Sequence, residues 1–329
     1  MARFNGCLDR PARLSRECAI ARRTADGSTG VAACDWGSGM TEINSLERSA
    51  GQPARVNKAF HVTTVNHLSY PSVDYRNTRD FYVDLLGMRA VWDDGTKCQV
   101  DCGPESAPNS LYLTSGKPDA QPTVAHFSFG LPNYWALAEQ LKTELARRGF
   151  EGVKPDGQAG WFVNGPSGFV QHIVVVKDLA MFPGAAKPCA KADSAECREA
   201  YEKGIRNLDA LPKPSGRGFK ALYFNYIILH VPDVAEERDF YTSLMGMNVL
   251  SNEKNEVSLQ FGENRLVLRR ADAEHKPYCN EFGFVIANYD RDKLEAELDH
   301  RGIRSVPSPL GGITLRDPNG LEIGIAGHR

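Results

Sequence analysis

Three histidines, His67, His126 and His172, stand in three short apolar stretches, and their imidazoles are the side chains of this chain best suited to hold a metal ion. Imidazole nitrogen suits Fe(II), Zn(II), Cu(II), Ni(II) and Co(II), and a facial set of three leaves positions open for a substrate with two adjacent oxygens. Tyr112, between Leu111 and Leu113, is the candidate catalytic group, a phenol able to donate a hydrogen bond or a proton to bound substrate. A lone strand histidine is more often a hydrogen-bonded structural residue; three on one face would be a site. Whether they share a face depends on the elements that carry them.

Those elements occur twice. Asn66-His67-Leu68, then Arg79-Asp80-Phe81-Tyr82 and Leu86-Gly87-Met88, align with Asn225-Tyr226-Ile227, Arg238-Asp239-Phe240-Tyr241 and Met245-Gly246-Met247 at a constant offset of 159. His126-Phe127-Ser128-Phe129 matches Glu281-Phe282-Gly283-Phe284 at 155, and Gly168 matches Gly320 at 152, a drift that small loop losses explain. A repeat of this size organises the whole chain. Each copy reads as a strand, a helix, a run of strands, a second helix and a last strand. In the first copy the strand 65–70 leads to a helix 77–86 stopped at Gly87, and Leu137, Leu141 and Leu145 mark an amphipathic helix 134–148 stopped at Gly149. The second copy has its counterpart helix at 291–301, stopped at Gly302. The boundaries expected are a leader at 1–58, module one at 59–178, a linker at 179–220 with a helix at 194–211, and module two at 221–329.

Strand periodicity assigns faces, because alternate side chains point to opposite sides of a sheet. Leu321, Ile323 and Ile325 form the apolar face of the last strand, leaving Glu322 and Gly324 on the other. The same register in module one puts Val170, His172 and Val174 on the open side, and Gln171 with Phe169 and Ile173 against the helices. Phe127, Phe129 and Leu131 leave His126 with Ser128 and Gly130. On the first strand Leu68 and Tyr70 point one way and Val65, His67 and Ser69 the other, while Tyr112 opposes its flanking leucines. Trp161 and Asn164 are further wall candidates, and His230 falls on the apolar face of its strand. In module two the three histidine positions hold Tyr226, Glu281 and Gly324, a poor ligand set. That module reads as structural, with a contribution of Glu281 or Glu322 to the first site the lesser alternative.

The duplicated pattern, with "RDFY…LGM" after the first strand and "PSG" or "DPNG" before the last, resembles the vicinal oxygen chelate superfamily of glyoxalase I, extradiol dioxygenases and bleomycin and fosfomycin resistance proteins. The resemblance covers about 59–178 and 221–328. It implies an α+β fold of two tandem βαβββ modules, each a half-open curled sheet, with metal ligands on the first, a middle and the last strand. The turn before His172 looks particularly like that of extradiol dioxygenases, which normally carry glutamate at this position and a tyrosine near Phe162. The resemblance thus implies a metal-dependent dioxygenase with a divalent metal, Fe(II) favoured and Zn(II) or Mn(II) fitting. The alternatives are a glyoxalase-like isomerase, epimerase or lyase, for which Glu281 is the one base suggested, and a non-catalytic binding protein.

Composition bounds the rest. The 329 residues, 42% hydrophobic, are enough for about two domains. A net charge of −2 without a long basic run argues against nucleic acid as a partner, and no apolar run approaches a membrane span. A small-molecule substrate is expected; a homo-oligomer stays open. Residues 1–58 are arginine-rich without a signal-peptide core, so they read as disordered or as an over-long start, with Met40 an alternative initiator. The eight cysteines form no CxxC pair; Cys98 with Cys102, and Cys189 with Cys197, are the pairs near enough to consider. Reduced thiols and a cytoplasmic location are the expectation.

Overall fold

The computed structural model describes residues 60–104, 108–150, 154–156, 160–175, 211–272 and 276–328. The expected leader, Cys189, Cys197 and all but the last residue of the helix expected at 194–211 lie outside them.

Module one runs β1 (Thr64–Ser72), α1 (Tyr75–Leu86), β2 (Arg89–Asp93), β3 (Lys97–Cys102), β4 (Asn109–Ser115), β5 (His126–Leu131), α2 (Tyr134–Arg147), β6 (Lys154–Asp156), β7 (Gly160–Asn164) and β8 (Val170–Val175). Module two repeats it as β9 (Ala221–Val231), α3 (Val234–Ser243), β10 (Asn248–Asn252), β11 (Glu256–Phe261), β12 (Asn264–Arg270), β13 (Tyr278–Ile286), α4 (Arg291–His300), β14 (Ser305–Pro307), β15 (Ile313–Arg316) and β16 (Glu322–Gly327). Each module therefore carries the βαβββ unit twice. The two sheets have the same strand order, β2-β3-β4-β1-β5-β8-β7-β6 and its counterpart in module two.

Local chemistry sets the helix ends. The Asp74 carboxylate caps α1 by accepting from the Asn77 N–H at 3.0 Å, and Asp233 caps α3 in the same way. Gly87 ends α1 with φ +58, and a Cβ there would lie 2.6 Å from the Phe219 carbonyl oxygen, so glycine serves both the turn and the close approach.

One face of each sheet is apolar. Leu68, Tyr70, Leu111, Leu113, Phe127, Phe129 and Ile173 join Ile227, Leu229, Phe282, Phe284, Ile323 and Ile325 in a core continuous through both modules. Val65 belongs to this core, not to the open face expected of it. The reason is a bulge at Asn66: Val65 pairs with Phe129 and His67 with Ser128, so one extra residue on β1 reverses the alternation. The same irregularity recurs on β9, where Phe224 pairs with Phe284 and Tyr226 with Gly283, skipping Asn225.

Two asparagines stitch the modules together at these bulges. The Asn109 Nδ2 donates to Val65 O at 2.8 Å and its Oδ1 accepts from Phe224 N–H at 3.1 Å. Reciprocally, the Asn264 Oδ1 accepts from Val65 N–H at 3.0 Å while its Nδ2 donates to Phe224 O. Cys98 and Cys102 are free and buried. Four positions apart on one extended strand, they are separated by about 13 Å, too far for the pairing considered above.

Candidate metal centre

The open faces of the strands in module one line up in two rows. Pairing across β7, β8, β5, β1, β4 and β3 gives Phe162, His172, Ser128, His67, Ser110 and Asp101 as one row. The next gives His126, Ser69, Tyr112, Gln99 and Trp92. His67, His126 and His172, from three strands far apart in sequence, thus converge, and Tyr112 is beside them with its ring edge-on to His67 at 4.9 Å between centroids.

The approach is close. His67 Nε2 is 3.3 Å from His126 Nε2 and 3.5 Å from His172 Nδ1, and the three nitrogens all lie within 4.8 Å of one another. Nitrogens about 2.1 Å from a common ion would be about 3.0 Å apart at right angles and about 3.4 Å at the tetrahedral angle. The two separations from His67 are those of ligands sharing one ion, so the cluster could hold a metal ion.

Protonation fits as well. The Asn66 Oδ1, an acceptor only, lies 2.8 Å from His67 Nδ1. The Nδ1 proton is therefore donated to Asn66, and the Nε2 lone pair faces the other two rings. Burial, followed by the neighbouring His172 and His126, holds His67 well below the usual imidazole pKa, so it is neutral, as a ligand must be.

Packing fixes the third ring. Phe162 stacks on His172 at 4.2 Å and 12°, and its edge meets His126 at 5.5 Å. Two residues before Phe162 on the same strand, a Cβ on Gly160 would sit 2.7 Å from His172 Nε2, so a glycine makes room for the imidazole. His67 and His172 are buried, while His126 is part-exposed and marks the open side.

The cup wall beyond Tyr112 is a polar chain that sequence reasoning missed. The Trp92 indole donates to Gln99 Oε1 at 2.7 Å, and Gln99 Nε2 and Ser110 Oγ donate to Asp101 Oδ1 at 2.8 and 2.7 Å. Burial pushes the Asp101 carboxyl up, with these hydrogen bonds opposing it. Two expected wall residues separate: Asn164 is on the open face, whereas Trp161 points the other way, packs against the core and carries Lys142 over its ring.

Module two fills the equivalent space with one side chain. Cβ atoms on Gly283 and Gly324 would fall 2.4 Å and 2.0 Å from the Tyr226 ring and hydroxyl. The Tyr226 hydroxyl donates to Glu281 Oε1 at 2.8 Å, and Arg269 lies 3.8 Å from the other oxygen. Glu281 is thereby engaged within its own module, and Glu322 pairs with Arg316 at 2.8 Å. Neither reaches the three histidines. His230 shares the face of Tyr226 and Ile228, contrary to expectation, and stacks on Tyr278 at 4.4 Å.

Residues 64–170 match the family model of the Glyoxalase/Bleomycin resistance protein/Dioxygenase superfamily. No curated protein matches the chain. Among solved structures, the chain is similar to the 2,3-dioxygenase LapB of Pseudomonas sp. KL28, at 15% identity and TM-score 0.59, covering 82% of this chain and 94% of that one. It is also similar to the Mn(II)-bound glyoxalase of Novosphingobium aromaticivorans, at 15% identity and TM-score 0.59, covering 81% and 82%. A third is homoprotocatechuate 2,3-dioxygenase of Arthrobacter globiformis, at 17% identity and TM-score 0.57, covering 84% and 83%. The α+β architecture of two modules is the vicinal oxygen chelate fold. Among the described residues no helix is long and apolar enough to cross a membrane.

Proposed function

We propose that this chain, whose residues 64–170 match the family model of the Glyoxalase/Bleomycin resistance protein/Dioxygenase superfamily, is a metal-dependent enzyme acting on a small substrate with vicinal oxygens, by extradiol-type oxidative ring cleavage. The observation that carries the proposal is the convergence of His67, His126 and His172. A divalent metal held there, Fe(II) for this reaction, would supply charge to bind two adjacent substrate oxygens and reactivity toward dioxygen.

The chain's own groups have separate tasks. Three neutral imidazoles leave the charge of a dication uncompensated, which favours an anionic substrate such as a catecholate or an enediolate. Tyr112 sits edge-on to His67 on the open face, where its phenol can exchange a proton with a substrate oxygen. Phe162, stacked on His172, shields that ligand from water. Glu281, the base that a glyoxalase-like reaction would call on, is committed to Tyr226, which favours the oxidative reading.

The test is metal analysis of untagged protein reconstituted anaerobically with Fe(II), Zn(II) and Mn(II), alongside His126→Ala. Stoichiometric metal in the parent and its loss in the variant are expected, with oxygen uptake on a panel of catechols by the iron form alone. Metal retained by His126→Ala would refute the ligand set; loading without oxygen uptake would refute the oxidative reaction.

A further inference from the structure

We propose that Glu237, in module two, is a positioning residue for His172, so that the module without ligands holds the geometry of the metal centre in the other. The inference rests on the metal-centre reading above.

Glu237 lies within α3 and is 1% exposed. Its counterpart in module one is Thr78, so the repeat itself does not call for a carboxylate at this point. A buried carboxylate is costly unless it is hydrogen-bonded, and the bonds that Glu237 makes cross to module one. Its Oε1 accepts from the Ser167 N–H at 2.8 Å and from the Ser167 hydroxyl. Ser167 belongs to the turn closed by Gly168 N–H to Gly165 O and by Gly165 N–H to Phe169 O, each at 2.9 Å. That turn runs directly into β8, which carries His172 at its third position.

The back of β8 is held at the same place. Gln171, fully buried, points away from His172 toward the buried hydroxyl of Tyr241 in module two. A Cβ on Gly165 would stand 2.5 Å from Gln171 Nε2 and 3.5 Å from Glu237 Oε2, so turn, amide and carboxylate are packed as one block. The other two histidine strands are pinned from module two as well. Val65 N–H, two residues before His67, donates to Asn264 Oδ1 at 3.0 Å. Val124 N–H, two residues before His126, donates to Cys279 O at 2.7 Å. Metal–ligand distances tolerate only about 0.2 Å of error, so a small shift of the 165–168 turn would register at His172.

The full-length parent and its variants are loaded with Co(II), and affinity is read by chelator competition together with the visible absorption of the bound ion. Glu237→Ala is expected to weaken binding about 10- to 100-fold and to change the Co(II) spectrum. Glu237→Gln keeps an oxygen to accept from Ser167, so its affinity should stay within about threefold of the parent and its spectrum should match. Leu298→Ala, which hollows the core of module two under α4, controls for general loosening and should lower the melting temperature without altering the spectrum. Should Glu237→Ala fail to fold, Ser167→Ala, which removes only the hydroxyl donor, should shift affinity in the same direction. A parent that takes up no metal overturns the metal-centre reading and the positioning role with it. A loaded parent whose Glu237→Ala or Ser167→Ala variant binds Co(II) unchanged overturns the positioning role alone, as does a Leu298→Ala protein with the same spectral change.

Discussion

At the scale of single residues, His67 depends most on a neighbour. An imidazole presents one lone pair only if its other nitrogen keeps a proton, and Asn66 Oδ1, 2.8 Å from Nδ1, secures that. Asn66→Ala removes the acceptor and should weaken metal binding about tenfold with little change in folding, as measured by chelator competition; unchanged affinity would show that the ring keeps its orientation unaided. The histidines were legible in the sequence because a period of two, read against Phe127, Phe129 and the apolar set of the last strand, fixes their faces. The role of Asn66 has no local signature, although the repeat offers a signal: the same residue type recurs as Asn225, at the second bulge. Gly160 was invisible, since nothing local says that a ring from another strand will occupy the space above a glycine.

At the scale of elements, the bulge on β1 decides which side chains reach the cup. Without the extra residue at Asn66, Val65 would not share the core with Leu68 and Tyr70 while His67 faces Ser128. Simple alternation therefore misplaced Val65 but placed His67, because the irregularity lies between them. Module two has the same bulge, but Tyr226 packs above two glycines where module one places its histidines. The phenol there serves stability. Tyr226→Phe leaves the Glu281 carboxylate without its hydrogen bond in a place where burial already raises its pKa, and should cost about 1–3 kcal/mol in urea unfolding at pH 7. Metal content of module one should be unaffected; a loss of metal in this variant would mean that the two cups are coupled through their shared core.

At the scale of the whole molecule, the contacts that join the modules are the part that local sequence patterns could not supply. They pair residues far apart in the chain, such as Asp317 in the turn before β16 with Tyr70 and Tyr82, whose hydroxyls donate to its Oδ2 at 2.8 and 3.1 Å. Neither periodicity nor the repeat predicts them, because they depend on how one module lies against the other. Asp317 also gives this interface a pH dependence. Burial pushes its carboxyl pKa up, against the lowering effect of Tyr70, Tyr82 and the backbone amides of Leu321 and Asn319. As pH rises past about 4, the unfolded chain gives up this proton while the folded chain keeps it, so stability falls until the raised folded pKa is passed. Acidification from pH 7 therefore favours the folded parent by about 1.4 kcal/mol for each unit of displacement. Asp317→Asn has no proton to titrate, and the remaining groups are common to both proteins. Measured by urea unfolding, the stability of the parent relative to the variant should shift in the parent's favour as pH falls through the raised folded pKa toward about 4. A difference that stays constant would mean that Asp317 has the same proton affinity folded and unfolded, and that the interface is indifferent to its charge.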